Sequence, residues 1–421
     1  MTKQTHDVII IGGGLAGLTA ACYLAREGKN VVVLEKRKSL GGRASTKVME
    51  GSFYNLGPHA LYKKGKALRI LKDLGIKLNG GTPSLQGKVF YDGQRYELPS
   101  NLLGILRTKL LNMKEKKEYT QIMLNIGKID PSKYYHLTLE QWVETNISSE
   151  KNKKLFYMFC RLASYVNAPE LVNAGAVLSQ LKMSLGGALY INRGWQSIIE
   201  QLREKAKYYG VNLLCKCKVK EIEMTSSSCR VSFIKENEQD ELKANKIIAA
   251  IPPSEILSTL KGIEQTRFGQ LLKESAPVKA ACLDITLTSE THVDFALDMN
   301  QSYYYSNHSK AAKLTYHPNH QVVHVMKYLK PNETASHEQL LSFLDCVIPN
   351  WQDQVVSQRF LPNLIVSYRC PIVSNEDIAL CAGKEFPGLH LAGEWVSNEF
   401  LLAEGALITA KGRVEQILRG V

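Results

Sequence analysis

The chain of 421 residues is short of several things that would decide its class at once. Nowhere do 18 apolar residues run together, which excludes a membrane-spanning helix. None of its nine cysteines (Cys22, Cys160, Cys215, Cys217, Cys229, Cys282, Cys346, Cys370 and Cys381) stands in a Cys-x-x-Cys pair. That excludes a paired-thiol redox centre, and the odd, scattered set reads as free thiols of a reducing cytosol. The first apolar run, Val8 to Ile11, is too short for a signal-peptide core, so a cytoplasmic protein is expected. On that expectation Asn146, Asn307 and Asn332 carry no weight as glycosylation sites. Acidic residues are few beside basic ones: 40 Asp and Glu against 53 Lys and Arg give a net charge of +13. No nucleic-acid fold signature accompanies that charge, so nucleic acid is not an expected partner.

What the chain does have is concentrated in its first forty residues. Asp7 to Ile11 is short, β-branched and closed by glycine, the pattern of a buried parallel strand. Gly12-Gly13-Gly14-Leu15-Ala16-Gly17 follows, then apolar residues at helical spacing to Arg26, a stop at Gly28 and Asn30, and a second strand over Val31 to Leu34 ending at Glu35. This predicts a strand–turn–helix–strand unit with G-x-G-x-x-G at its first turn. Gly12 makes the tight turn, Gly14 lets the backbone approach a pyrophosphate, and Gly17 lets the helix lie close on the strand. The N–H groups of Leu15 and Ala16 belong to a helix N-terminus whose positive dipole end favours phosphate. Glu35, with Lys36 behind it, stands where an acid accepts hydrogen bonds from adenosine ribose.

Ser39-Leu40-Gly41-Gly42-Arg43 then departs from a domain that binds only NAD. With the glycine loop, it resembles the opening of the FAD-dependent amine oxidase, protoporphyrinogen oxidase and phytoene desaturase superfamily. The resemblance implies that Gly42 and Arg43 reach the FAD phosphate and flavin region. Asn55-Leu56-Gly57-Pro58-His59 is similar to the Asp-x-Gly-Pro-His stretch of the desaturase-like branch, which puts Gly57 and Pro58 at the cofactor and His59 near the flavin edge. Gly186 to Trp195 is similar to the family's glycine-rich return to the FAD domain, and Val219 lies on the strand implied to meet the adenine. Lys246 to Pro253 resembles the strand on which the chain leaves that domain. Gly388 to Glu394 looks like the second FAD strand, with Gly393 and Glu394 at the ribityl or pyrophosphate part. Gly405 and Ala406 open a last helix whose N–H groups would face flavin N1 and O2. There is no second nucleotide motif, so electrons are expected to leave to an external acceptor, oxygen or a quinone.

These returns imply an α/β fold: a Rossmann-type FAD/NAD(P)-binding domain from residues 1–80, 188–265 and 375–421, and a discontinuous α+β substrate domain from 81–187 and 266–374. Lys279 is the nearest match to the lysine that, in amine oxidases, holds a water at flavin N5, so Lys279 and His59 are the candidate catalytic residues. Leu402 stands where amine oxidases place a cage aromatic, and Cys381 lies too near Gly393 to be a covalent tether. Noncovalent FAD and an apolar substrate losing hydride from a C–C or C–N bond are therefore expected. A true amine or amino-acid oxidase is the alternative enzyme, and a flavin-free binding protein like the Rab GDP-dissociation inhibitors is the alternative of another kind. In residues 102–128, Leu103, Leu106, Leu110 and Met113 recur at helical spacing among Arg107, Lys109, Lys114, Lys116 and Lys117. That predicts a basic amphipathic helix, packed on the substrate domain or in peripheral contact with an anionic membrane.

Overall fold

The computed structural model describes residues 5–420 apart from 85, 226, 227 and 375. Its first sheet is built on the strand His6–Ile11, whose neighbours Val31–Leu34 and the end of Glu238–Ala249 run parallel to it. Across the sheet the order is Asn212–Leu214, Val31–Leu34, His6–Ile11, Glu238–Ala249, Cys229–Lys235, Cys217–Met224, and Leu389–Leu391 also pairs with the end of Glu238–Ala249. A parallel strand has no wet face, which is why Ile9, Ile10, Val32 and Val33 are all fully buried and their sequences run apolar without alternation. Helices Leu15–Arg26, Gln196–Tyr208 and Leu402–Arg419 cover one face, and Pro253–Thr259, Arg267–Lys273 and Ile378–Glu385 cover the other. The first helix lies so close on its strand that a Cβ on Gly17 would stand 1.9 Å from the carbonyl oxygen of Gly12.

The second sheet is mainly antiparallel, in the order Val355–Ser367, Val278–Leu287, Gln321–Tyr328, Tyr303–Asn307, Phe295–Asp298, Lys88–Tyr91, Gln94–Glu97. One face packs on helix His337–Val347 through Ala281, Leu283 and Ile285. The other looks toward helices Met113–Ile126, Glu150–Ser164 and Ala174–Ser184 through Ala280, Cys282 and Met326. Strand Val278–Leu287 is buried on both faces and reads apolar nearly throughout.

Two local expectations change. Helix Arg267–Lys273, assigned by sequence to the substrate unit, buries Phe268, Leu271 and Leu272 against the first sheet, and the second sheet's long strand starts only at Val278. Residues 102–128 form two helices, Leu102–Arg107 and Met113–Ile126, not one. Asn112 caps the second through a reciprocal pair with Glu115, and Leu110, in the break, turns into the core while Leu103, Leu106 and Met113 stay exposed.

The strand Leu389–Leu391 also carries an acid-sensitive group. Burial, with Lys246 and Arg413 nearby, holds the His390 imidazole down at about 4, from the ordinary 6.5. Between those values the unfolded chain binds a proton that the folded chain refuses, so stability falls as pH falls through this window. The full difference corresponds to roughly 3 kcal/mol. Urea unfolding at pH 7 and pH 4.5 should show His390→Gln losing less stability on acidification than the parent chain.

Candidate functional site

The site begins where the first strand ends. Gly12 turns at φ +105°, and a Cβ there would lie 2.4 Å from the carbonyl oxygen of Ala250, so only glycine fits. Gly14 is the N-cap of helix Leu15–Arg26, and neither a side-chain cap nor an acid in the first turn occupies that helix start. Its first N–H groups are thus left to a ligand. A Cβ on Gly14 would meet only the oxygen of Gly41, 3.9 Å away, so its α-carbon is open to close approach. Gly13, which sequence reasoning passed over, has less room: its Cβ would strike Leu40, 2.3 Å away.

Glu35 is buried and holds this loop from behind. One carboxylate oxygen accepts from Gly13 N at 2.8 Å, the other from Arg37 N at 2.8 Å. A carboxylate has about four acceptor sites, so two such bonds leave lone pairs for ribose hydroxyls. Lys36 pairs with Glu255 at 2.5 Å across the cavity rim rather than standing free for a phosphate.

From this loop a cavity of about 580 Å³ runs between the two sheets. Gly12, Gly14, Leu15, Ala16, Glu35, Lys36, Gly42, Arg43, Pro58, His59, Val219, Gly393, Glu394 and Ala406 all line it. Gly17, Gly57 and Gly405 stand behind the wall as packing positions. A Cβ on Gly57, at φ +79°, would lie 2.5 Å from Leu364, and one on Gly405 2.6 Å from the oxygen of Phe400. Arg43 and Glu394 form an ion pair at mid-cavity; the guanidinium also donates to Val366 O at 2.7 Å and lies over the Tyr368 ring at 4.5 Å. Glu394, 4% exposed, accepts in addition from Tyr368 N at 3.1 Å.

His59 Nδ1 meets Gly57 O at 2.9 Å and its ring meets Trp195 edge-on at 5.2 Å. Burial holds its imidazole below the ordinary value, in the neutral form. The Trp195 indole N–H is buried at the cavity wall with no hydrogen-bond partner, a donor left over for a ligand. The last helix enters at Leu402, which lines the cavity at φ +55°, a left-handed backbone that a leucine adopts only under constraint. Glu404 beside it turns away to cap helix Lys66–Asp73 through Ala67 N at 2.9 Å.

Lys279 is not part of the site. It shares its face of strand Val278–Leu287 with Ala281 and Leu283, which pack under helix His337–Val347, and it does not line the cavity. Strand alternation sends it to the wrong side of the sheet. Sequence reasoning missed the far chamber: Tyr62, Phe159, Tyr165, Tyr190, Phe295, Tyr304 and His308. Tyr190 and Trp195 lay within the glycine-rich return, whereas the others sit in ordinary apolar patterns that carry no signal of their own.

The donors and spaces present suit a dinucleotide: an uncapped helix start, a close-approach glycine, a half-used acid and an unpartnered indole N–H. A family model described as flavin containing amine oxidoreductase matches residues 15–279. A probable flavin-containing monoamine oxidase A of Dictyostelium discoideum is 27% identical over 277 residues, 59% of this chain and 58% of that protein. The chain thus matches little more than half the length of that relative. Among solved structures, an oxidoreductase from Methanosarcina mazei superposes with a TM-score of 0.76 at 17% identity, over 97% of this chain and 100% of that one. A putative protoporphyrinogen oxidase from Exiguobacterium gives 0.73 at 16%, over 100% of both.

Replacing Arg43 by Gln strands the buried Glu394 carboxylate. Because the guanidinium is partly exposed, the expected loss is about 2 kcal/mol of stability. Urea unfolding measures it, and FAD content on purification should fall at least tenfold, by roughly the same free energy. The chain belongs to the flavin containing amine oxidoreductase family, and its cofactor is FAD.

Proposed function

We propose that the chain is an FAD-dependent oxidoreductase that takes hydride from a C–C or C–N bond of an apolar small molecule. The carrying observation is the division of polarity along the cavity. Among its described lining residues the carboxylates are Glu35 and Glu255 at the dinucleotide end and Glu394 at mid-cavity, where Arg43 already pairs with it. The chamber beyond is walled by aromatic and aliphatic side chains, and its tyrosines are partly spent. Tyr62 donates to Ala163 O at 3.0 Å and Tyr165 to Pro58 O at 2.8 Å, so they present rings rather than free hydroxyls. A cationic amine entering such a chamber would lose hydration without finding a counter-charge. Leu402, where an amine oxidase carries a cage aromatic, supports the same reading.

FAD when bound supplies a two-electron acceptor for the hydride. The chain's own contribution is to orient and to keep water out. The helix start and Gly14 would hold the pyrophosphate, Glu35 the ribose, and Arg43 with Glu394 the middle of the cofactor. The start of the last helix, at Leu402 and Ala403, would turn N–H groups toward the pyrimidine end of the flavin, with Ala406 in the wall beside them. FAD would be held noncovalently: among the described residues the one cysteine lining the cavity is Cys217, beside Val219 on the strand implied to meet the adenine. The open phosphate cradle supports an enzyme over a flavin-free binding protein. The electron acceptor would be external, oxygen or a quinone. The test is anaerobic bleaching of the yellow holoprotein. Conjugated polyenes or porphyrinogens should reduce the flavin, and simple alkyl amines should not; bleaching by amines alone would overturn the reading.

The surface over the chamber supports delivery from a lipid phase. Leu102, Leu103, Leu106 and Met113 are between 58% and 77% exposed, with Arg107, Lys109, Lys114 and Lys117 exposed among them. Lys116 ties the two helices together through Leu106 O at 2.7 Å, and the neighbouring Ser100 and Met123 line the cavity. Among the described residues no helix is long and apolar enough to cross a membrane, so contact would be peripheral. Vesicles containing anionic phospholipid should cosediment with the protein at low salt, Leu103→Asp/Leu106→Asp should release it, and neutral phosphatidylcholine vesicles should bind it at least tenfold less.

A further inference from the structure

Behind the aromatic chamber the second sheet carries a row of polar side chains. Arg359, Asp284, His324 and Ser306 stand opposite one another on four neighbouring strands. Asp284 and His324 are both fully buried. His324 Nδ1 donates to Asp284 Oδ1 at 2.6 Å, while Arg359 binds the other carboxylate oxygen and the carbonyl of Asn55. Burying such charges costs several kcal/mol in desolvation, and an apolar row would pack the sheet at less expense. Cys282 Sγ stands 3.2 Å from Asp284 Oδ1, so a thiol, a carboxylate and an imidazole meet here, with His324 and Arg359 bonded to the two oxygens of the carboxylate.

The row ends at the chamber. His324 Nε2 is buried without a hydrogen-bond partner, and the His324 ring meets that of His308 edge to face at 4.3 Å. His308 borders the cavity, stacks on Tyr190 at 3.9 Å and meets Tyr304 Oη through Nε2 at 3.1 Å. Its ring is thereby fixed on three sides. Nδ1 is the nitrogen left for a ligand.

We propose that His308 is the proton acceptor of the oxidation, and that the buried Asp284–His324 pair is the positioning element that holds its ring. The proposal rests on the reading of the chamber as the place where an apolar substrate is oxidised. Hydride leaves the substrate carbon with its electron pair and goes to FAD, the oxidant. The C–H or N–H bond on the neighbouring atom then breaks, its electron pair closes the new double bond, and its proton goes to His308 Nδ1. A proton beside a carbocation needs only a weak base. Burial, with His324 and His59 nearby, holds the His308 imidazole well below its ordinary value. It stays neutral in mildly acid solution and sets no positive charge beside a cationic intermediate.

The test does not depend on turnover. An apolar alkylating reagent, 4-bromophenacyl bromide, forms a C–N bond to a neutral imidazole with loss of bromide. In the FAD-loaded full chain, peptide mass spectrometry should find the adduct on His308. Its rate should vary by less than about twofold between pH 5.5 and 8, as a group already deprotonated across that range requires. No adduct on His308, or labelling that collapses on mild acidification, would overturn the assignment even where apolar compounds bleach the flavin. Asp284→Asn should slow the labelling about tenfold and make it pH-dependent. If that variant does not fold, His324→Asn keeps a donor toward Asp284 while removing the ring beside His308, and should do the same. An unchanged rate and pH profile in the folded variant would remove the positioning role. With a substrate that bleaches the flavin, His308→Gln should slow bleaching about 100-fold while FAD content stays constant, the lower end of the usual general-base range.

Discussion

The two sheets of this protein share one cavity, and the Arg43 guanidinium is what ties them at its middle. It is anchored in the loop after the first Rossmann strands, pairs with Glu394 from the end of the same sheet, and donates to Val366 on the edge strand of the other sheet. The planar fork suits this task because it can serve a carboxylate, a carbonyl and an aromatic face at once, which a lysine ammonium cannot. Tyr368 completes the clamp by lying under the guanidinium and giving its N–H to the same carboxylate. The geometry of the dinucleotide end and of the aromatic chamber is therefore fixed by one side chain that belongs to both.

A second tie acts further along. Arg359, from the second sheet, holds the carbonyl of Asn55, and Asn55 in turn accepts from Trp195 N at 3.0 Å through its side chain. Tyr54 next to it is buried among Thr286 and Ser357. The short strand carrying the Gly-Pro-His loop is thus bolted to the sheet behind the chamber. That bolt gives the substitution of Asn for the customary acid at residue 55 a physical sense. An amide takes hydrogen bonds from Trp195 and Thr46 without adding another charge near Asp284.

The sequence spoke clearly where backbone geometry is the constraint. Gly12 and Gly17 can be read because a turn and a close helix each forbid a side chain, Gly14 lies open between them, and such demands leave a fixed spacing. Glu35 is legible for the same reason, at the end of a strand whose start is known. The far chamber was not legible, because Tyr62, Tyr165 and Tyr304 come from three segments whose meeting depends on how two sheets face each other. Their local patterns are those of any core. Lys279 shows the opposite error. Its neighbours match a familiar segment, yet alternation along a strand buried on both faces decides which side a residue takes, and Lys279 falls on the side away from the cavity. The stretch 102–128 failed for a simpler reason: Asn112 is a good helix cap, and a cap in the middle of a periodic pattern starts a second helix.

The strand Leu389–Leu391 and the helix Leu402–Arg419 are the last elements of the chain, yet one completes the central sheet and the other covers the first helix. Glu404 also caps a helix more than three hundred residues earlier, where a Cβ on Gly65 would collide with its carboxylate. The first strands and helices thus depend on segments more than three hundred residues later in the sequence. The cofactor domain can close only when these distant segments have met, and until then its apolar first strands stay open. Such a topology folds slowly and from distant contacts. Capture of the dinucleotide can accordingly act as a latch on a fold closed by its most distant contacts.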